Sequence, residues 1–508
     1  MPGTRWFSAA AGAVAAGIAA AAGELAAAAL SPSLSPVTAV GSVVVDAVPA
    51  PVKDWAIAVF GTSDKAALLA GMLLIILVTG AACGLLETRR PPWGSVVLAG
   101  FGVLGAAAVL TRAQFSPLAL LPPLAAGLAG VLVLRGLTAR VRRYGQAPQP
   151  EAGASRRDVL VAVGGGAAVA AVGGGLAGAA RSSQVAVDDL RANLQLPAPV
   201  QPAAAIPAGA DLGIPGAESL ITPNPDFYRI DTALRVPLIN PDTWRLRVTG
   251  MVDREVELTY ADLLAKPLQE SWVTLACVSN EVGGSLIGNA RWLGWPVRSL
   301  LAAAGVQPGA DMVLSTSEDG WTATTPLEAL TDARDSLLAV AMNGEPLPPE
   351  HGFPVRLVVP GLYGYVSATK WVTELKVSRF ADETSYWTDR GWSERGPVKL
   401  SSRIDTPARG ANLTAGKTTV AGVAWAQHTG ISAVQLRVDD GDWQDTRLAA
   451  GISADTWRQF AADVDLPDGD HTLTVRAVDA RGNVQDEAER PVVPDGATGL
   501  HTIRVSVG

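Results

Sequence analysis

A helical membrane region, an α+β domain and a C-terminal immunoglobulin-like β-sandwich follow one another in this 508-residue sequence. Three observations predict that order. The positive mean hydropathy comes almost entirely from the first 180 residues. The middle of the chain mixes short strand and short helix patterns. From about residue 400, alternating strands are separated by Asp-Gly turns.

Apolar runs at about 7 to 30, 66 to 86, 95 to 111 and 117 to 134 are near the roughly 20 residues that a spanning helix needs. They make residues 1–150 a membrane region of about four helices. Arg89 and Arg90 follow the second run, and Arg135, Arg140, Arg142 and Arg143 follow the fourth. Positive charge retained on the cytoplasmic side puts those loops and the N-terminus inside. A fifth apolar stretch, Val159 to Ala180, follows Ser155-Arg156-Arg157-Asp158 within 151–181. Paired arginines before a glycine-rich segment read as a twin-arginine export signal, and equally as an ordinary spanning helix. Both readings send the remaining chain to the extracytoplasmic side of the cell membrane.

Residues 182–218 are rich in Pro, Ala and Gly and read as a spacer. Residues 219–398 hold strand patterns such as Trp244 to Gly250 and Val355 to Val359, and short helices such as Tyr260 to Leu264 and Arg298 to Ala304. In 399–508 the turn signals Asp439-Asp440-Gly441-Asp442 and Pro467-Asp468-Gly469-Asp470 separate the strands of the sandwich.

The net charge of −8 is modest and no long basic run leaves the membrane-proximal loops, which excludes nucleic acid as a partner. All four histidines lie in the soluble part and no Cys-x-x-Cys-His run occurs, so no haem is predicted. Of two cysteines, Cys83 lies in an apolar run. Cys277 is alone in a domain read as exported, with no partner for a disulfide. Its sharpest reading is a thiolate ligand to a metal; an isolated cysteine with apolar neighbours is otherwise a buried structural thiol.

The ordered motifs Phe227-Tyr228-Arg229, Thr274 to Asn280, Gly288 to Trp292, His351 to Arg356, Pro360-Gly361 and Lys370-Trp371, followed by a sandwich, resemble the sulfite oxidase family of molybdopterin enzymes. The resemblance covers roughly residues 219 to 508. It implies one pterin cofactor whose molybdenum is bound by Cys277, with soft sulfur suiting that role. Tyr228, Arg229, Asn280, Asp319, His351, Arg356, Ser367 and Lys370 take family positions around the cofactor, the basic ones toward its phosphate. Taken singly, Arg356 and Lys370 would be solvated charges and Asp319 an ordinary turn residue. The spacing to Lys370 is one residue longer than the family pattern. Asn289 and Arg291 are placed near the metal loop, Arg291 equally as an ion-pair partner. The resemblance also implies a homodimer formed through the sandwich and a separate electron-transfer partner.

Departures from the family bear on substrate. Where sulfite oxidases carry an arginine soon after the cysteine, this chain reads Asn280-Glu281-Val282. Ile230-Asp231 replaces Asn-His, Trp392 follows Trp387 where a tyrosine is expected, and no arginine stands near Thr429-Gly430-Ile431. Sulfite is a compact dianion that needs converging positive charge. Val278 after the cysteine is similar to exported methionine sulfoxide reductase catalytic subunits. The expectation is therefore oxygen-atom transfer to or from a small neutral molecule in a pocket with Trp292, Trp392 and Glu281. A sulfite oxidase and a non-catalytic envelope protein that keeps the fold are the alternatives.

Overall fold

The structure is a computed structural model that describes residues 2–30, 35–48, 64–110, 117–146, 189–234 and 236–508, with isolated positions between them. The Arg156-Arg157 segment and most of the fifth apolar stretch lie outside the described residues. The chain divides into two compact units. One is Met1–Leu190 with Thr232–Leu238, the other Arg191–Asp231 with Ile239–Gly508.

The first unit is built from α1 (Pro2–Leu30), α2 (Pro36–Ala47), α3 (Asp64–Arg89), α4 (Trp93–Leu110) and α5 (Leu121–Gln146). Among the described residues, four helices are long and apolar enough to cross a membrane: Thr4–Leu30, Ala67–Arg89, Trp93–Leu110 and Leu118–Tyr144. The sequence did not announce α2, which is short of a span; the Ser35 side chain caps it by accepting from the Thr38 amide. Small residues set the packing. Gly12 of α1 faces Gly80 and Gly84 of α3 with no room for a Cβ on any of the three, so the two backbones meet directly.

In the second unit, one sheet runs in the order β2 (Val256–Thr259), β1 (Arg245–Gly250), β10 (Val372–Ser378), β5 (Met312–Ser317), β6 (Thr322–Pro326). Only the β1–β10 pair in it is parallel. A second antiparallel sheet holds β3 (Gln269–Ala276), β4 (Ile287–Pro296), β7 (Leu337–Met342) and β8 (Glu345–Pro346), with β9 (Arg356–Val358) also on β7. In β1 buried Leu246 and Val248 alternate with outward Arg245 and Arg247. All six residues of β7 are buried, as a central strand covered on both faces requires.

The sandwich pairs β11 (Ser401–Thr406), β13 (Gly416–Trp425), β17 (Arg458–Leu466) and β16 (Arg447–Leu448) in one sheet. The facing sheet runs β12 (Asn412–Leu413), β19 (His501–Val507), β18 (Gly469–Asp479), β14 (Ile431–Val438), β15 (Gln444–Asp445). Phe460, Leu466, Leu473 and Val475 fill the space between them. The sandwich is continuous with the α+β core: Trp425 and Trp457 belong to the same buried cluster as Leu293 and Leu338. Residues 191–218, a spacer by composition, are laid along this unit. Leu194 and Leu196 pack on its core, and the Val200 amide donates to the Leu268 carbonyl at 2.8 Å. Proline-rich chain lacks donors but retains carbonyls and apolar rings, so it packs well where a strand edge supplies hydrogen bonds.

Candidate active site

Cys277 stands at the end of β3, where the chain leaves the sheet for a loop that returns as β4. The loop closes on itself. The Cys277 amide donates to the Leu286 carbonyl at 2.9 Å, the Leu286 amide to Asn280 Oδ1 at 2.8 Å, and the Asn280 amide to the Cys277 carbonyl at 3.1 Å. Asn280 thus fixes the loop as a whole. Cys277 is 8% exposed, and burial pushes its thiol above the ordinary cysteine range, opposed by hydrogen bonds with Ser279. Below it, Asn289 is fully buried, accepting from Thr274 Oγ1 and donating to the Leu220 carbonyl. Arg291 pairs with Glu270 at 3.5 Å and lies over Trp272, so it serves as a structural ion-pair partner.

His351, Arg356 and Lys370 come together because Gly352 turns the chain with φ +112°. A Cβ there would lie 3.0 Å from that of Arg356 and 3.2 Å from that of Lys370, a conformation and a gap that suit glycine alone. His351 Nε2 lies 2.9 Å from the Asn224 carbonyl, and burial lowers its pKa to about 4. Arg356 donates to the carbonyls of His351 (3.0 Å), Leu357 and Ala368 (both 3.4 Å) and sits 5.0 Å above the Trp292 ring. It is 5% exposed, and among the described residues no carboxylate pairs with it. Burial brings even this guanidinium down to about 10. Lys370 differs: its ammonium bonds Asp231 Oδ2 at 2.7 Å and the Glu350 carbonyl at 3.0 Å, over the Trp371 ring at 4.5 Å. Burial lowers it to about 8 against the pull of Asp231. Arg229 also bonds Asp231, at 2.9 Å. Ser367 is fully buried and donates to the carbonyls of Leu362 and Tyr363. Burial raises the Asp319 carboxyl, with Asp231 and Lys370 close enough to act on it. Asp319 also accepts from the Trp321 amide at 3.2 Å, as a turn residue does.

Aromatic groups line the region. Tyr228 stacks on Phe227, whose ring meets Trp292 and His351 edge-on. Burial raises the Tyr228 hydroxyl, as does Cys277 beside it, while Arg356 opposes both. Trp292 is fully buried, its indole donating to the Val273 carbonyl. Trp392 packs on Tyr365 and Trp387. A small crevice on the loop that follows Cys277, which the thiol itself does not line, is bordered by Ala276, Asn280, Glu281, Val282 and Tyr363 from the α+β domain, and by Ser401, Trp425 and Ala497 from the sandwich. None of these is cationic.

Three residues of the site escaped sequence reasoning. Tyr363 is 6% exposed and is pushed up to about 12, by burial first and by Cys277 among lesser causes. Arg403 of β11 bonds the Gly284 carbonyl, Glu218 and Asp405. His501 of β19 lies against Gly283, whose φ of +78° and lack of a Cβ permit the approach. The Tyr-Gly-Tyr run at 363 to 365 was the one available signal; the other two carry none, because their partners lie far off in sequence.

A buried cation without a counter-ion calls for an anionic ligand. A single buried thiol calls for a metal that takes its other donors elsewhere: among the described residues no group of three or more His, Cys, Asp or Glu gathers to hold one. Cys277, Tyr228, His351 and Arg356 therefore fit a cofactor that brings both an anion and a metal.

Residues 233–387 match the oxidoreductase molybdopterin binding domain, and residues 401–475 match a bacterial Ig domain. The chain is 39% identical over 161 residues to the uncharacterized oxidoreductase YuiH of Bacillus subtilis, covering 32% of this chain and 78% of YuiH. It is 30% identical to sulfite oxidase of Gallus gallus, covering 60% and 74%. For human mitochondrial sulfite oxidase the figures are 32% identity, 54% of this chain and 59% of the relative. The chain thus spans about three fifths of the length of the mammalian relatives it matches. The crystal structure of the sulfane dehydrogenase SoxCD from Paracoccus pantotrophus is similar at a TM-score of 0.51 and 26% identity, over 56% of this chain and 81% of that one. With a thiol, an unpaired guanidinium and a sandwich arranged in this order, and relatives covered over most of their length, the chain belongs to the sulfite oxidase family of molybdopterin-dependent oxidoreductases.

Proposed function

We propose that this chain is a membrane-anchored, extracytoplasmic molybdopterin-dependent oxidoreductase that moves an oxygen atom to or from a small neutral molecule, of which an S-oxide is the best-fitting class. The observation that supports the substrate class is the small crevice on the loop that follows Cys277, whose eight lining residues include a carboxylate, two hydroxyls and a tryptophan but no positive charge. A dianion held near this loop would find no compensating charge on it; a neutral S-oxide needs only a donor and an apolar wall.

When bound, molybdopterin supplies the oxygen-atom and two-electron chemistry. Cys277 would hold the molybdenum, and Tyr228, His351 and Arg356 the pterin, with Asn280 fixing the loop. Arg229, Asp319, Ser367 and Lys370 stand around them. Glu281 and Tyr363 border the crevice with a carboxylate and a hydroxyl at which a proton is held or passed. Trp292 supports Arg356, and Trp392 sits among the aromatics below Tyr365. Reduction of an S-oxide takes two electrons and two protons and releases water, so a separate electron carrier must visit.

Charge supports the orientation. Arg142 donates to the Glu87 carbonyl, Arg135 to Ser95, and the Phe7 ring meets Tyr144. These contacts gather the C-terminal ends of α3 and α5 with the N-terminal ends of α1 and α4, so Arg5, Arg89, Arg90, Arg142 and Arg143 share one end of the bundle. That end is cytoplasmic by the positive-inside rule. Export through a twin-arginine signal at Arg156-Arg157 would deliver the domain folded and loaded.

A second reading, sulfite oxidation, is favoured by the 32% identity to human sulfite oxidase. The full chain, purified in detergent from a molybdopterin-competent host, separates the two. We expect near-stoichiometric molybdenum, dye-coupled S-oxide reduction well above sulfite oxidation, and lost turnover with an altered metal spectrum in Cys277→Ser. Efficient sulfite turnover would reverse the substrate assignment, and a chain free of metal and pterin would leave only an envelope scaffold.

A further inference from the structure

The cations of the cradle are not equivalent. Lys370 has its positive charge met by Asp231 and further donors by the Glu350 carbonyl and the Trp371 ring, and Arg229 shares the same carboxylate. The Asp231 side chain is 4% exposed and that of Lys370 10%, so water does little to screen the pair. Arg356, equally buried, lies over the Trp292 ring and among the described residues donates to carbonyls alone, two of them at 3.4 Å. We propose that Asp231 is a resident counter-anion that neutralises and positions the buried Lys370, with the half-exposed Arg229 sharing the same carboxylate, leaving Arg356 as the buried cation that takes the anionic end of the cofactor. This inference rests on the molybdopterin reading of the site.

The physical argument is one of alternatives. A buried lysine with no carboxylate beside it would have to take its negative charge from the ligand. Here Asp231 meets that need before any ligand arrives, so Lys370 stays in place whether or not the cradle is filled. Such preorganisation lowers the ordering cost of binding but removes one unit of net attraction for an anion. The lowered ammonium pKa of Lys370, held up mainly by Asp231, accords with a pair that depends on itself. Trp371, at φ +52°, supports the same conclusion: the backbone adopts a strained left-handed turn directly after Lys370, whose ammonium bonds Asp231.

The test uses the full chain purified from hosts that do and do not make molybdopterin, as wild type, Asp231→Asn, Lys370→Met, the double variant, and Arg356→Met. Breaking one side of a buried pair leaves an uncompensated group, whereas removing both is nearly neutral. In the cofactor-free chain Asp231→Asn, which strands the buried ammonium, is expected to lower Tm by about 6 °C or more, Lys370→Met, which leaves Asp231 bonded to Arg229, to lower it by less, and the double variant to regain most of the larger loss. In the loaded chain Lys370→Met should keep molybdenum and pterin within about threefold of wild type, while Arg356→Met loses about thirtyfold or more. Additive Tm losses in the cofactor-free chain would overturn the pairing, and equal cofactor loss in Lys370→Met and Arg356→Met would overturn the division of labour. Should single variants fail to fold, the double variant still decides, since a folded, loaded double variant supports the proposal and an empty one refutes it. A wild type with no cofactor at all would instead refute the molybdopterin reading while the Tm comparison still judges the pair.

Discussion

His351 and His501 are both buried and both neutral, each brought down to about 4 from an ordinary 6.5 chiefly by loss of solvent. His501 Nδ1 accepts from the Ile404 amide, which a protonated ring cannot do. As pH falls below about 6.5, the unfolded chain takes up protons that the folded chain refuses until about 4. The stability contributed by these residues is therefore complete above 6.5 and lost between 6.5 and 4, roughly 1–3 kcal/mol for each. Denaturant midpoints of the cofactor-free chain should fall across that window. His501→Asn, which keeps an acceptor without the titration, should flatten the slope by about half. Cys277, His351 and Arg356 could be named as candidates from the sequence because their motifs stand in family order. Asp231 was visible only as a departure, since nothing in Ile230-Asp231 announces a lysine 139 residues away. Tyr363 had only its Tyr-Gly-Tyr run as a signal, and Arg403 and His501 had none, for their neighbours are set by the joint between domains.

The loop between β3 and β4 is the element on which the site depends, and the sandwich holds it from outside. Arg403 grips the Gly284 carbonyl, His501 presses on Gly283, and Gly499 approaches Val282. Gly283→Ala meets both a left-handed φ and the imidazole face. It should cost about 2–4 kcal/mol and shift the absorption of the loaded chain by moving Cys277, while Gly391→Ala, also at positive φ but in open space, should cost only about 1 kcal/mol and leave the spectrum alone. The strands β1 and β9 and the long strands β13, β14, β17, β18 and β19 of the sandwich were readable from alternation and turn residues, while β3 to β7 and β10 were not singled out. The two-residue strands β8, β12, β15 and β16 were not, because so short a segment carries no period.

The second unit has its own continuous core, from Trp244 through Leu338 to Trp457, and a segment of 191–218 sewn to its edge. It should fold without the helices: a fragment of residues 182–508 is expected to be soluble, to melt cooperatively and to keep at least about half the molybdenum of the full chain. Aggregation of that fragment from a host that loads the full chain would show that the helical unit supplies essential contacts. Composition separated the helical, mixed and sandwich regions because membrane, two-layer and sandwich environments each demand a different repeat. It missed the seam, where Trp457 donates to the Leu220 carbonyl and its amide to Thr274, because long-range partners leave no local pattern. That seam has an evolutionary meaning. Ser401, Trp425 and Ala497 form one wall of the crevice yet lie outside the strands that hold the thiol and the cations. On the reading proposed above, a lineage could retune which molecule is admitted by altering the sandwich, with the strands that carry the thiol left as they were.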